Sequence, residues 1–166
     1  MKKITLVILS ILIGFSAIAK TKHKKKKKVV TVATNDITSV LIMRTGCFGH
    51  CPTYSVEINK NGMATYSAIR FNEDSGNFQK NIGVAKAATI LNEVQKYRLD
   101  TCTESYYNQI PDLPNLNYEI VYKNMTKKIY SAKYGPDFLS ILAREIEEVG
   151  KRKKGDAGWK RVPEKQ

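Results

Sequence analysis

Histidine is nearly missing from this chain: there are two, and only His50 lies outside the lysine-rich start. A histidine-based hydrolytic triad would therefore have to run through that one residue. The sequence also has no glycine-rich phosphate loop and no His-Glu-x-x-His string, so the common nucleotide and zinc-protease signatures are absent. Cysteine is scarce, with three residues, and tryptophan occurs once. After residue 19 no segment is apolar enough to cross a bilayer. Acidic residues are missing from 20–28, and only Asp156 and Glu164 occur in 151–166.

The chain opens with the three parts of an export signal. Lys2 and Lys3 form a positive start, Ile4 to Phe15 an apolar run, and Ala17-Ile18-Ala19 a small-x-small cleavage site. Cleavage is expected between Ala19 and Lys20. A stable span needs roughly 20 apolar residues, and this run stops just before a lysine block. No cysteine follows the cleavage site, so a lipid anchor is not expected. The mature protein is expected in the periplasm or outside the cell, neither a lipoprotein nor transmembrane. Three cysteines in such a compartment favour disulfide use, with one thiol left over.

Charge is unevenly placed. The chain holds 28 Lys+Arg against 15 Asp+Glu. Residues 20–28 contain seven lysines and 151–166 seven basic residues, which leaves 29–150 with 12 basic and 13 acidic side chains. The high pI belongs to the two ends. Residues 20–37 read as a disordered lysine-rich tail and connector, 38–150 as one domain, and 151–166 as a solvated basic tail. These tails suit anionic lipid headgroups or an anionic polymer through simple electrostatics. Specific nucleic-acid binding is not expected, because the lysine run has no interleaved aromatics for stacking. Trp159 can be read as an interfacial anchor or as docked on the body.

Within the body, Val40 to Met43 is a continuous apolar run, read as a buried strand. Thr53 to Asn59 alternates, with Tyr54, Val56 and Ile58 on one side, and Asn61-Gly62 marks a hairpin turn into Met63–Arg70. Residues 72–81 read as a polar loop. Val84, Ala87, Ala88, Leu91, Val94 and Tyr97 recur at helical spacing. Tyr118, Ile120 and Tyr122 mark another strand, which returns through 126–133. Phe138, Ile141, Leu142, Ile146 and Val149 then line a second helix, after Pro136 and before Gly150. The expected fold is α+β: an antiparallel sheet of about five strands with both helices on one face. Tyrosines 54, 66, 118, 122 and 130 suit core packing, with a ligand-binding sheet face as the alternative.

The one unusual stretch is Arg44-Thr45-Gly46-Cys47-Phe48-Gly49-His50-Cys51-Pro52-Thr53-Tyr54. Gly46 and Gly49 permit the compact turn that brings Cys47 and Cys51 within disulfide reach. Closing such a small ring contributes about 2 kcal/mol in the loop-entropy model. Three chemistries remain open here: a structural disulfide, a thiol-redox site, and a zinc or copper site using Cys47, His50 and Cys51 with Cys102 as a fourth ligand. Three residues separate the cysteines and a strand follows them, which departs from the thioredoxin-like pattern. Glu145, Glu147 and Glu148 read as a solvated helix face, and Asp112 as a loop residue.

The string from Arg44 to Tyr54, with the alternating strand and Asn-Gly turn behind it, resembles the exported bacterial family called domain of unknown function 6438. The resemblance runs over residues 38–149, where Asp112-Leu113-Pro114 and Gly135-Pro136 fall at expected punctuation. It implies compartment and fold and carries no activity. The favoured reading is an exported, non-catalytic binding or interaction module with a disulfide-braced loop and no cofactor. The alternative is a thiol-redox or metal protein centred on Cys47, His50 and Cys51.

Overall fold

The computed structural model describes residues 36–106 and 112–163. The expected signal peptide and lysine block lie outside the described residues. The chain forms β1 (Ile37–Arg44), β2 (Thr53–Asn59), β3 (Met63–Arg70), β4 (Gly76–Asn81), α1 (Val84–Lys96), β5 (Leu116–Tyr122), β6 (Thr126–Ile129), α2 (Asp137–Gly150) and β7 (Lys160–Val162). The strands make one sheet in the order β6-β5-β1-β2-β3-β4-β7, with every neighbouring pair antiparallel. The class is α+β, as read from the sequence. The strand count is seven rather than about five.

Both extra strands escape a period-of-two reading. In β4, inside the segment read as a loop, Phe78 is the one large apolar residue. It is fixed by its register, facing Tyr66 on β3 and Arg161 on β7. β7 is three residues long and belongs to the segment read as a solvated tail. Strands this short are specified by their neighbours more than by their own pattern.

The covered face follows the alternation. Val40, Ile42, Val56, Ile58, Ala64, Tyr66, Phe78, Tyr118 and Ile120 are buried beneath the helices. The opposite face carries Ser55, Glu57, Thr65, Ser67, Asn77 and Glu119, with Leu41 and Met43 half-buried among them. β1 is thus dry on one side only. Sheets of this antiparallel kind tolerate one solvated face.

α1 buries Ala87, Ala88, Ile90, Leu91 and Val94. α2 buries Leu139, Leu142, Ala143, Ile146 and Gly150. That stripe is rotated from the one expected, since Ile141 is exposed and Phe138 instead stacks on Tyr97, ring centres 5.2 Å apart, tying the two helices. Gly62 is needed twice over: its φ is +87°, and a Cβ there would lie 2.7 Å from the backbone entering α1. Gly150 lets the end of α2 lie against Val56, where a Cβ would collide with the valine side chain.

Candidate functional site

The glycine-flanked loop between β1 and β2 closes as its residue types allow. Cys47 and Cys51 are disulfide-bonded, with Cα atoms 5.6 Å apart. Backbone bonds fasten it to the segment before β5: the Thr45 amide donates to the Asn115 carbonyl at 3.0 Å, and the Phe48 amide to the Asp112 carbonyl at 3.3 Å. The Asn115 amide returns a bond to the Thr45 hydroxyl at 3.0 Å.

Below the disulfide, both legs of the loop meet α2. Arg44, the last residue of β1, donates through Nε to Glu147 Oε1 at 2.7 Å. Tyr54, near the start of β2, donates its hydroxyl to the same oxygen at 2.7 Å. Burial opposes the Arg44 charge, but the bonds to Glu147 outweigh it and the guanidinium is held more basic than usual. Burial, followed by the hydrogen bond to Glu147, pushes the Tyr54 phenol well above its ordinary range. Lys151 Nζ lies 4.3 Å from the centre of the Tyr54 ring, inside cation–π range.

Above the brace, Phe48 is 91% exposed. His50 packs its ring on Phe71 at 4.8 Å, and the Arg70 guanidinium sits 4.5 Å from the centre of the same ring. Phe71 has φ +55°, a left-handed conformation unusual for a bulky residue. Beside it opens a cleft of about 480 Å³, lined by Pro52, Tyr66, Phe71, Asn72, Glu73 and Asp74 on one side and by residues 151–154 on the other. At its floor the Tyr66 hydroxyl donates to Asn72 Oδ1 at 3.0 Å, while Asn72 Nδ2 donates to the Thr53 and Arg70 carbonyls. Burial pushes the Tyr66 phenol up to about 12.

The residues expected at this site divide. Cys47, His50 and Cys51 share the loop, with the two sulfurs bonded to each other. Cys102 instead follows a short 3-10 turn after α1 and packs half-buried at the core margin. Among the described residues no group of three His, Cys, Asp or Glu side chains is arranged to hold a metal ion. Tyr54, Tyr66 and Tyr118 belong to the buried face under the helices, not to the open face. Glu147, read as solvated, is the central acceptor of the loop clamp. A signal for it existed: it lies four residues after Ala143 and three before Gly150, on the edge of the buried stripe.

Fold and site together define a small α+β domain, an antiparallel sheet under two helices with a disulfide-braced loop at one end. The chain belongs to the family described as Domain of unknown function (DUF6438), whose model matches residues 38–150. No curated protein and no solved structure matches the chain. Among the described residues no helix is long and apolar enough to cross a membrane. β7 and the segment leading to it lie outside the matched residues.

Proposed function

We propose that this protein is exported and acts as a non-catalytic binding module whose recognition end is the disulfide-braced loop. The observation that carries the reading is Phe48, 91% exposed on a loop held by a disulfide and by backbone bonds to the segment before β5. A large apolar side chain left in water on an ordered loop is a pre-organised anchor: its partner gains the buried area without the cost of ordering the loop. The disulfide suits an oxidising compartment, where such bonds persist. The signal-like residues 1–19 agree with that, and the lysine-rich stretch and basic C-terminal segment supply attraction to anionic surfaces.

The test starts from proteins crosslinked through a photoreactive residue at position 48, re-examined as pure components. Phe48→Ala is expected to weaken binding at least tenfold with an unchanged melting temperature. Equal affinity of the variant would overturn the reading.

One observation favours a redox role as a second reading. The Gly49 amide donates to Cys47 Sγ at 3.3 Å, and such a donor stabilises a thiolate once the disulfide is reduced. After reduction, Cys47 is then expected to alkylate faster near neutral pH than Cys51. Equal slow rates would remove this reading.

A further inference from the structure

The C-terminal segment read from sequence as a loose basic tail is built into the body. β7 pairs with Asn77, Phe78 and Gln79 of β4. Trp159 packs its ring against Tyr66, centres 6.4 Å apart, with Lys80 Nζ 5.9 Å from the indole centre. Arg152 and Arg161 stand 4.3 and 5.2 Å from the centre of the Phe78 ring. Arg152 also bonds Asp74, and Arg161 donates to the Ser75 carbonyl at 2.8 Å.

This fastening orients the nearby carboxylates, of which only Asp74 is paired with a cation among the described residues. Asp74 is taken by Arg152, Asp156 accepts the Lys153 amide, and Glu73 accepts the Lys154 amide. Glu73, Glu148 and Asp156 remain charged beside these groups, but the cations outnumber them. Lys80 of β4, Lys86 of α1, Lys151, Lys153, Lys154 and Lys160 have no carboxylate within ion-pair distance among the described residues. Folding therefore gathers ammonium groups from four parts of the chain onto one edge, where they repel one another until an anion arrives.

We propose that residues 151–154 and β7 form a structured binding site for a linear polyanion, a flexible chain carrying closely spaced phosphate or carboxylate groups. The proposal deepens the anionic-partner reading above and rests on it. Its geometry favours a polymer over a bilayer. Residues 151–154 line the cleft of about 480 Å³ against Phe71, which also holds Glu73 and Asp74. Lys151 is shared with a second depression of about 270 Å³ that reaches Lys80, Lys86 and Trp159 beside Glu148 and Asp156. A flexible chain can pass Lys151 and enter both depressions; a plane of headgroups cannot follow cations into recesses. Trp159, the side chain best suited to insert at a membrane interface, is turned inward onto Tyr66.

The experiment uses the full mature chain with three probes: long-chain inorganic polyphosphate, polyglutamate, and vesicles of phosphatidylglycerol in phosphatidylcholine. One variant carries Lys86→Gln, Lys153→Gln, Lys154→Gln and Lys160→Gln, all exposed and outside ion pairs. A second neutralises Lys24 to Lys28, and a third carries Lys127→Gln and Lys128→Gln on the opposite edge of the sheet. The expected result is polyphosphate binding that weakens with salt, falls at least tenfold in the first variant, and changes less than threefold in the other two. Binding of polyglutamate by the same surface would mark carboxylate as an accepted source of the charge. Unchanged polyphosphate and polyglutamate binding in the first variant, with loss in the second, would overturn the inference and leave the tether reading standing. Vesicle binding without polymer binding would overturn the polymer in favour of a bilayer. Failure of the wild type to bind any probe would overturn both.

Discussion

Glu147 decides how the cysteine loop is mounted. Its carboxylate accepts from Arg44 and Tyr54, the two residues from which the loop rises, and is only partly open to water, at 17% side-chain exposure. Hydrogen bonds to a charged group of this kind contribute about 1.5–3 kcal/mol. Glu147→Gln keeps the shape and removes the charge, so it is expected to cost about 2 kcal/mol in urea denaturation. Tyr54→Phe, which leaves the ion pair intact, is expected to cost about 1.5 kcal/mol, the low end of that range. Equal stability of Glu147→Gln and wild type would show that the clamp is incidental. Alkaline titration reports on the same neighbourhood. Burial raises the phenols of Tyr54, Tyr66, Tyr118 and Tyr122, with Tyr66 and Tyr122 at about 12. A phenol whose folded pKa lies above its unfolded value supports the fold fully below pH about 10 and ceases to as pH climbs through the folded value. Stability is therefore expected to fall between pH 10 and about 12, with at least four of the nine tyrosines still largely un-ionised in folded protein at pH about 11. Ionisation of all nine at pH 11 in folded protein would contradict the burial.

β7 and the segment before it behave as part of the domain. Trp159 is half-buried on Tyr66, and β7 covers the outer edge of β4. Full truncation of a buried tryptophan costs about 3–5 kcal/mol; Trp159→Ala, at a half-buried site, is expected to cost about 2 kcal/mol. Removal of 151–166 should cost more and uncover Phe78, seen as an earlier urea midpoint and dye binding. An unchanged midpoint would return this segment to the status of a tail. The contrast with the sequence reading has a physical cause. The β2–β3 hairpin, β5 and both helices bury repeating apolar positions, and β6 follows β5 through a short turn, so period and turn chemistry reveal them. β4 contributes Phe78 alone and β7 Val162 alone; β4 is held by register with its neighbour β3, and β7 by pairing with β4 far earlier in the chain. The site divided the same way. Glycine spacing puts Cys47 and Cys51 within disulfide reach while leaving redox and metal chemistry open, whereas Phe71, Glu147 and residues 151–154 come near the loop only through tertiary contacts.

A seven-stranded open sheet has two edges that a second copy can extend, and here both are guarded by charge. β6 carries Lys127 and Lys128 within its four residues, and β7 carries Lys160 and Arg161 before Pro163. Short, cationic edge strands, with a proline that cannot donate to a ladder, discourage edge-to-edge pairing. On the β6 side the cover is also structural, because residues 104–106 bond to Tyr130 at the end of the strand: the Tyr130 amide donates to the Glu104 carbonyl at 2.7 Å and the Tyr106 amide to the Tyr130 carbonyl at 3.1 Å. Lys128 lies opposite Glu119 on the uncovered face, 3.3 Å away, whereas Lys127 makes no ion pair among the described residues. Replacing both lysines with β-branched residues, Lys127→Thr and Lys128→Val, raises strand propensity and removes the repulsion together. Sedimentation velocity of the full mature chain is then expected to show concentration-dependent association in the double variant, with a single monomeric species for wild type. Because the barrier removed is one of like charge, association of the variant should persist at low salt, where the wild-type lysines repel most strongly. A double variant that stays monomeric would mean that strand length and the 104–106 cover guard this edge without help from its lysines.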